Sequence, residues 1–119
     1  MIPEWSPEAL TGLRRLFDFI ARTPRGKPAM RVGEVLTAVA ALPERWQAYR
    51  VRRRVGSVEL RRQITKHGTV IVFSHEVDAA HPAGVILVRW IAHGSELRQS
   101  PPLRTVRPAA EMPRARPPQ

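Results

Sequence analysis

The spacing of apolar residues changes partway along the chain. Leu10, Leu13, Phe17 and Ile20 recur at steps of three and four, the spacing of one helix face. The stretch "SPEALTGLRRLFDFIARTP" carries matching end signals. Ser6 suits an N-cap, Pro7 the first helical position and Glu8 the positive end of the helix dipole. Arg14 and Arg15 lie off the stripe, and Pro24 stops the helix from continuing. "TPRGKPAM" (Thr23–Met30), with two prolines and a glycine, predicts a basic loop. Val32, Val35, Leu36, Val39 and Leu42 then predict the buried face of a second helix, which starts near Pro28 or Arg31 and ends before Pro43.

From Trp46 the period becomes two. Tyr49, Val51 and Val55 alternate with Arg50, Arg52 and Arg54; after Gly56-Ser57, Val58, Leu60 and Ile64 alternate with Glu59, Arg61 and Gln63. A Gly-Ser pair between alternating runs predicts a hairpin with a two-residue turn. Its register sets Val55 opposite Val58, Arg54 opposite Glu59, Arg53 opposite Leu60 and Tyr49 opposite Ile64. Arg50, Arg52, Arg54 and Arg61 then share a polar face, with Arg53 and Arg62 on the apolar side. "KHG" (Lys66–Gly68) is the next turn. "TVIVFSH" (Thr69–His75) and "VILVRWIA" (Val85–Ala92) are apolar on both faces, the mark of central strands, with "EVDAAHPAG" as the loop between them. The expected fold is α+β: two N-terminal helices followed by a four-stranded antiparallel meander. An alternative makes "PERWQAYRVRRRV" a third helix, a recognition helix, and the next two strands a wing with "KHG" at its tip, so that the chain resembles a winged helix. Two helices cover only one face of a meander whose central strands want cover on both. The sheet is therefore expected to curl or to pair with a second copy as a homodimer.

Charge now names a partner class. The 119 residues hold 20 Lys and Arg against 10 Asp and Glu, a formal net charge of +10. Such a surplus favours polyanions, of which nucleic acid is the commonest. Between Tyr49 and Gly68, seven basic residues face one acid, Glu59. Arg50, Arg52, Arg54 and Arg61 are the expected phosphate contacts, supported by Arg53, Arg62 and Lys66, with Trp46 and Tyr49 near enough to stack on bases. The expected function is non-enzymatic binding of DNA or RNA. From Gln99 the chain is rich in proline and arginine, so residues 1–98 are expected to form the domain and 99–119 a mobile tail. Such a tail could recruit a protein partner and make the chain a basic adaptor in a phage particle or ribonucleoprotein.

Other chemistry is thin. The chain has no cysteine, which excludes disulfides and cysteine-ligated metals. His75 and His81 in "HEVDAAH" lack the helical zinc-protease spacing, so neither a metal nor another cofactor is expected. "MIPEWSPEAL" has no basic start followed by an apolar stretch, and "GVILV" (Gly84–Val88) is too short to span a bilayer. A cytoplasmic protein without membrane contact is the expectation.

Two helices followed by "YRVRRRVGSVELRRQITKHGTVIVFSHE" resemble the RelE/ParE toxins, with "VGSVELRR" and "GTVIVFSHE" on that family's strand pattern. The resemblance implies a helical hairpin against an antiparallel sheet. Among the family's ribonucleases it implies basic residues and a histidine that hold phosphate charge and move protons, here Arg61, Arg62 and His75. The chain departs from the pattern in three ways. Val58-Glu59 stands where the family has tyrosine–arginine, no strand is legible before the helices, and a strand and a proline-rich tail are added.

Overall fold

A computed structural model describes residues 2–93. Its elements are β1 (Glu4–Trp5), α1 (Pro7–Ala21), α2 (Pro28–Arg45), a single 3-10 turn (Trp46–Ala48), β2 (Val51–Val55), β3 (Val58–Ile64), β4 (Thr69–Glu76) and β5 (Val85–His93). The strands form one five-stranded mixed sheet in the order β1-β5-β4-β3-β2, with β1 parallel to β5 and every other pair antiparallel. The fold is thus α+β, with a fifth strand that the hydropathy pattern does not reveal. β1 is two residues long, too short for any period to register. The structure does not confirm the winged-helix alternative: of its recognition helix, Pro43–Arg45 end α2, Trp46–Ala48 form the 3-10 turn and Val51–Val55 are a strand. The expected tail lies outside the described residues, among which no helix is long and apolar enough to cross a membrane.

The start of α1 is built as its sequence suggests. Ser6 is the N-cap; its Oγ accepts a hydrogen bond from Ala9 N at 3.0 Å, and Pro7 opens the helix. The same residue ties the helix to the sheet. Ser6 N donates to Val88 O at 2.9 Å, and Ser6 Oγ donates to Arg89 O at 3.1 Å.

The buried stripe of α1 differs from the expected one. Ala9, Gly12, Leu16 and Ile20 face the sheet, while Leu10 and Phe17 are 53% and 43% exposed. The cause is Gly12. A Cβ there would collide with the Ile91 carbonyl oxygen, so the helix lies with its backbone against β5 and rotates the larger residues outward. On α2, Val35, Val39 and Leu42 are buried and Leu36 is 48% exposed. The helix also runs on through Pro43 to Arg45, farther than expected. A proline so near the C-terminus removes one hydrogen bond of the last turns and leaves the rest intact.

The core lies between the helices and one sheet face: Leu16, Ile20, Val35, Val39 and Leu42 pack on Ile71, Phe73, Ile86, Val88 and Ile91. A second cluster on the other face joins Leu60, Val70 and Val72 to the partly buried Val55, Val58 and Trp90. β4 and β5 are central and apolar on both sides, as their sequences imply.

Two glycines test this packing in opposite directions. Gly12→Ala gains helix propensity of about 1 kcal/mol but must push α1 off β5, and overpacking of this kind costs about 1–3 kcal/mol. Gly33 has nothing within 4 Å of a Cβ position, so Gly33→Ala keeps the propensity gain of about 1 kcal/mol. Thermal denaturation should show a lower Tm for the first variant and a higher one for the second.

Candidate nucleic-acid interface

The β2–β3 hairpin turns at Gly56, whose φ of +61° lies in the left-handed region that glycine tolerates. Beside the turn the expected register holds: Val55 pairs with Val58, Arg54 with Glu59 and Arg53 with Leu60. The register then slips, and Val51 pairs with Arg61 instead of Arg62. Arg52 is the extra residue of a β-bulge, a device that re-aims a side chain.

The slip sorts the arginines in a new way. Arg61 pairs with Phe73, which belongs to the helix-side core, so Arg54, Glu59 and Arg61 share that side. Glu59 holds two of them. Arg54 Nη2 lies 3.2 Å from Glu59 Oε2, and Arg61 Nη2 lies 3.6 Å from Glu59 Oε1. Arg61 is also fixed by its Nη1, which donates to Tyr49 O at 2.5 Å, and by its guanidinium 5.0 Å from the Trp46 ring centroid. Arg62 pairs with Val72 and Arg53 with Leu60, both on the opposite face. Arg52 joins Arg62, not Arg54. Its guanidinium is held below the usual arginine value chiefly by the charge of Arg50, then by slight desolvation, then by the charge of Arg62.

Arg50 and Arg62 thus lie within electrostatic reach of Arg52, and among the described residues none of the three makes an ion pair. Arg62 Nε is buried without a hydrogen-bond partner. The predicted aromatic platforms are occupied by packing. The Trp46 ring stacks on His75, with centroids 4.0 Å apart and planes 3° apart, and Tyr49 meets Phe73 edge-on at 5.8 Å. Lys66 sits in the β3–β4 turn and lines a groove against α2 with Gly33 and Glu34, apart from the three arginines.

One charged cluster escapes the hydropathy reading. Arg89 is 7% exposed at a second bulge, where Val72 pairs with Trp90 and Phe73 with Val88. Its Nε donates to Ser74 Oγ at 2.9 Å and its Nη2 pairs with Glu76 Oε2, while Ser74 Oγ donates to the same carboxylate at 2.6 Å. The only sequence signal for it is an arginine in the middle of a two-sided apolar strand, "VILVRWIA".

The histidines join elements. His67 Nδ1 lies 2.5 Å from Glu34 Oε2 and links the β3–β4 turn to α2. The His75 ring packs on Trp46 and is closed in by Gly84, where a Cβ would overlap His75 Nε2. His81 faces two carboxylates, with Nδ1 3.0 Å from Asp78 Oδ1 and Nε2 3.0 Å from Glu4 Oε2. Neutral imidazole has one N–H, so only the imidazolium donates to both.

Comparison of the chain with protein-family models, with curated proteins and with solved structures finds no match in any of the three.

His81 gives the structure a pH response. The hydrogen bond that His81 donates to Asp78 first, then the charges of Asp78 and Glu4, raise the His81 value above 6.5, and the same bond lowers Asp78 below 3.8. A raised histidine contributes stability in full below its unfolded value and loses it as pH rises through the folded one; a lowered carboxyl loses its contribution as pH falls through its folded value. The link between the β4–β5 loop and β1 should therefore be strongest between pH 3.8 and 6.5. Amide protection factors of Glu4, Trp5 and the loop, measured against intrinsic exchange at each pH, should fall above that window, and His81→Ala should abolish that fall.

Proposed function

We propose that the protein binds nucleic acid through phosphate contacts centred on Arg50, Arg52 and Arg62. One observation carries the reading: the charges of Arg50 and Arg62 both act on Arg52, and among the described residues none of the three makes an ion pair. Like charges held together raise the energy of the free protein, and a phosphate between them relieves it. Arg54 and Arg61 are weaker candidates, because Glu59 already holds them. Trp46 and Tyr49 serve to seat the hairpin on the core, and base stacking is not part of the proposal.

A second reading keeps the fold and adds chemistry. In sequence, the RelE/ParE resemblance lacks a strand before the helical hairpin; Glu4–Trp5 forms one, parallel to β5. This favours a toxin-like ribonuclease over an assembly adaptor. The residues implied for catalysis do not converge, however. Arg61 and His75 both contact Trp46 on the helix side, and Arg62 lies on the other face. A cleaving site would need other groups beside Arg62.

Fluorescence anisotropy with single-stranded RNA, single-stranded DNA and duplex DNA tests the first reading. Arg52→Ala with Arg62→Ala should weaken binding about tenfold or more. The slope of log K against log salt should flatten by about 0.7–0.9 for each phosphate no longer neutralised. Arg54→Ala should change little. Equal affinity for wild type and the double variant defeats the site. Incubation with translating ribosomes separates the second reading, which requires cleaved message.

A further inference from the structure

The two helices carry more apolar surface than the sheet uses. α1 has a stripe against β5 and a second one in which Leu10 and Phe17 are exposed and Leu13, partly buried, joins them to the core. With Val32 these residues form a groove of about 450 Å³, rimmed by Arg14 and Asp18. Leu36, one turn beyond Val32 on α2, is also exposed. A contiguous patch of this kind on an otherwise charged protein marks an interaction site.

Charge decides what the patch fits. The helices are neutral in a chain of net charge +10. On α1, Glu8 and Asp18 balance Arg14 and Arg15; on α2, Glu34 and Glu44 balance Arg31 and Arg45. An acidic partner drawn by charge would find its complement on the hairpin or the 22–27 loop, away from this layer. Two copies of the chain repel each other least where the charge is zero.

We propose that the groove is the interface of a homodimer, in which α1 of one molecule lies antiparallel to α1 of its twin. In a two-fold contact, residue i meets residue j and j meets i. Arg14 and Asp18 both rim the groove, both are exposed, and neither makes an ion pair among the described residues. A two-fold axis level with residue 16 sets each Arg14 against the other molecule's Asp18. The same register leaves Leu13 of one copy two residues, about 3 Å along the axis, from level with Phe17 of the other, within packing reach. The Arg50–Arg52–Arg62 surface stays clear, because Arg62 lies on the sheet face opposite the helices.

Sedimentation equilibrium of the full chain, freed of nucleic acid by nuclease, tests the proposal. Twice the chain mass is expected. Leu10→Ser with Phe17→Ser changes only exposed positions and should keep the circular dichroism spectrum while weakening the dimer by about tenfold or more. Arg14→Asp alone and Asp18→Arg alone should each weaken it, and the two together should restore it, because the reversed charges again meet in reciprocal pairs. A monomer at every attainable concentration overturns the proposal, and so does a dimer indifferent to the Leu10/Phe17 variant. Failure of the double reversal to restore the dimer also overturns it, as does a monomer that binds only an acidic helical peptide in the groove.

Discussion

Everything in this domain is organised around the seam where α1 meets β5. Two contacts make the seam. Gly12 lets the helix backbone reach the Ile91 carbonyl, and Ser6 joins the helix cap to the carbonyl of the bulged residue Arg89. A bulge disrupts the regular ladder of its strand, and here the serine that caps the helix supplies one of the missing donors. The bulge in turn aims Arg89 at Ser74 and Glu76. A helix start, a strand irregularity and a buried ion pair are thus consequences of one another. The close approach also accounts for the outward turn of Leu10 and Phe17, so the shape of the far side of the helix is set by what happens on its near side.

Electrostatics sorts the arginines by whether an acid is within reach. Glu59 takes Arg54 and Arg61, and Glu76 takes Arg89. Among the described residues, Arg50, Arg52 and Arg62 have no such ion pair. The resulting division of labour does not follow the run of charge along the chain, in which Arg50, Arg52 and Arg54 look alike. The exposed Arg54–Glu59 pair is of a kind that contributes little to stability. Its main effect is to reduce the local excess of positive charge at the tip of the hairpin.

Local signals are well legible in the sequence, and signals that depend on a distant partner are not. The cap at Ser6, the turn at Gly56 and the two-sided strands β4 and β5 are all written in neighbouring residues, and all are found. Periodicity places Ile20 and Leu13 on the core but misplaces Leu10 and Phe17, because it counts apolar side chains and gives glycine no weight, although Gly12 marks the buried face. The first strand escapes it because two residues acquire meaning only from pairing with Leu87 and Val88. The bulge at Arg52 moves that arginine from the side of Arg54 to that of Arg62, and alternation alone cannot announce an extra residue. Register nonetheless puts Arg53 and Arg62 on the apolar side, and they lie there.

The bond from Ser6 to Arg89 spans 83 positions of sequence. During synthesis, α1 and α2 leave the ribosome well before the strand that α1 must lie against. Until β5 arrives, the helical hairpin has no sheet to cover its inner face, and β1 has nothing to pair with. Long-range closure of this kind slows folding, because the entropy of the intervening loop is given up before the distant pairing forms. The N-terminal strand cannot join the sheet before β5 does, and a nascent chain stalled within β4 would expose both apolar surfaces of α1 at once.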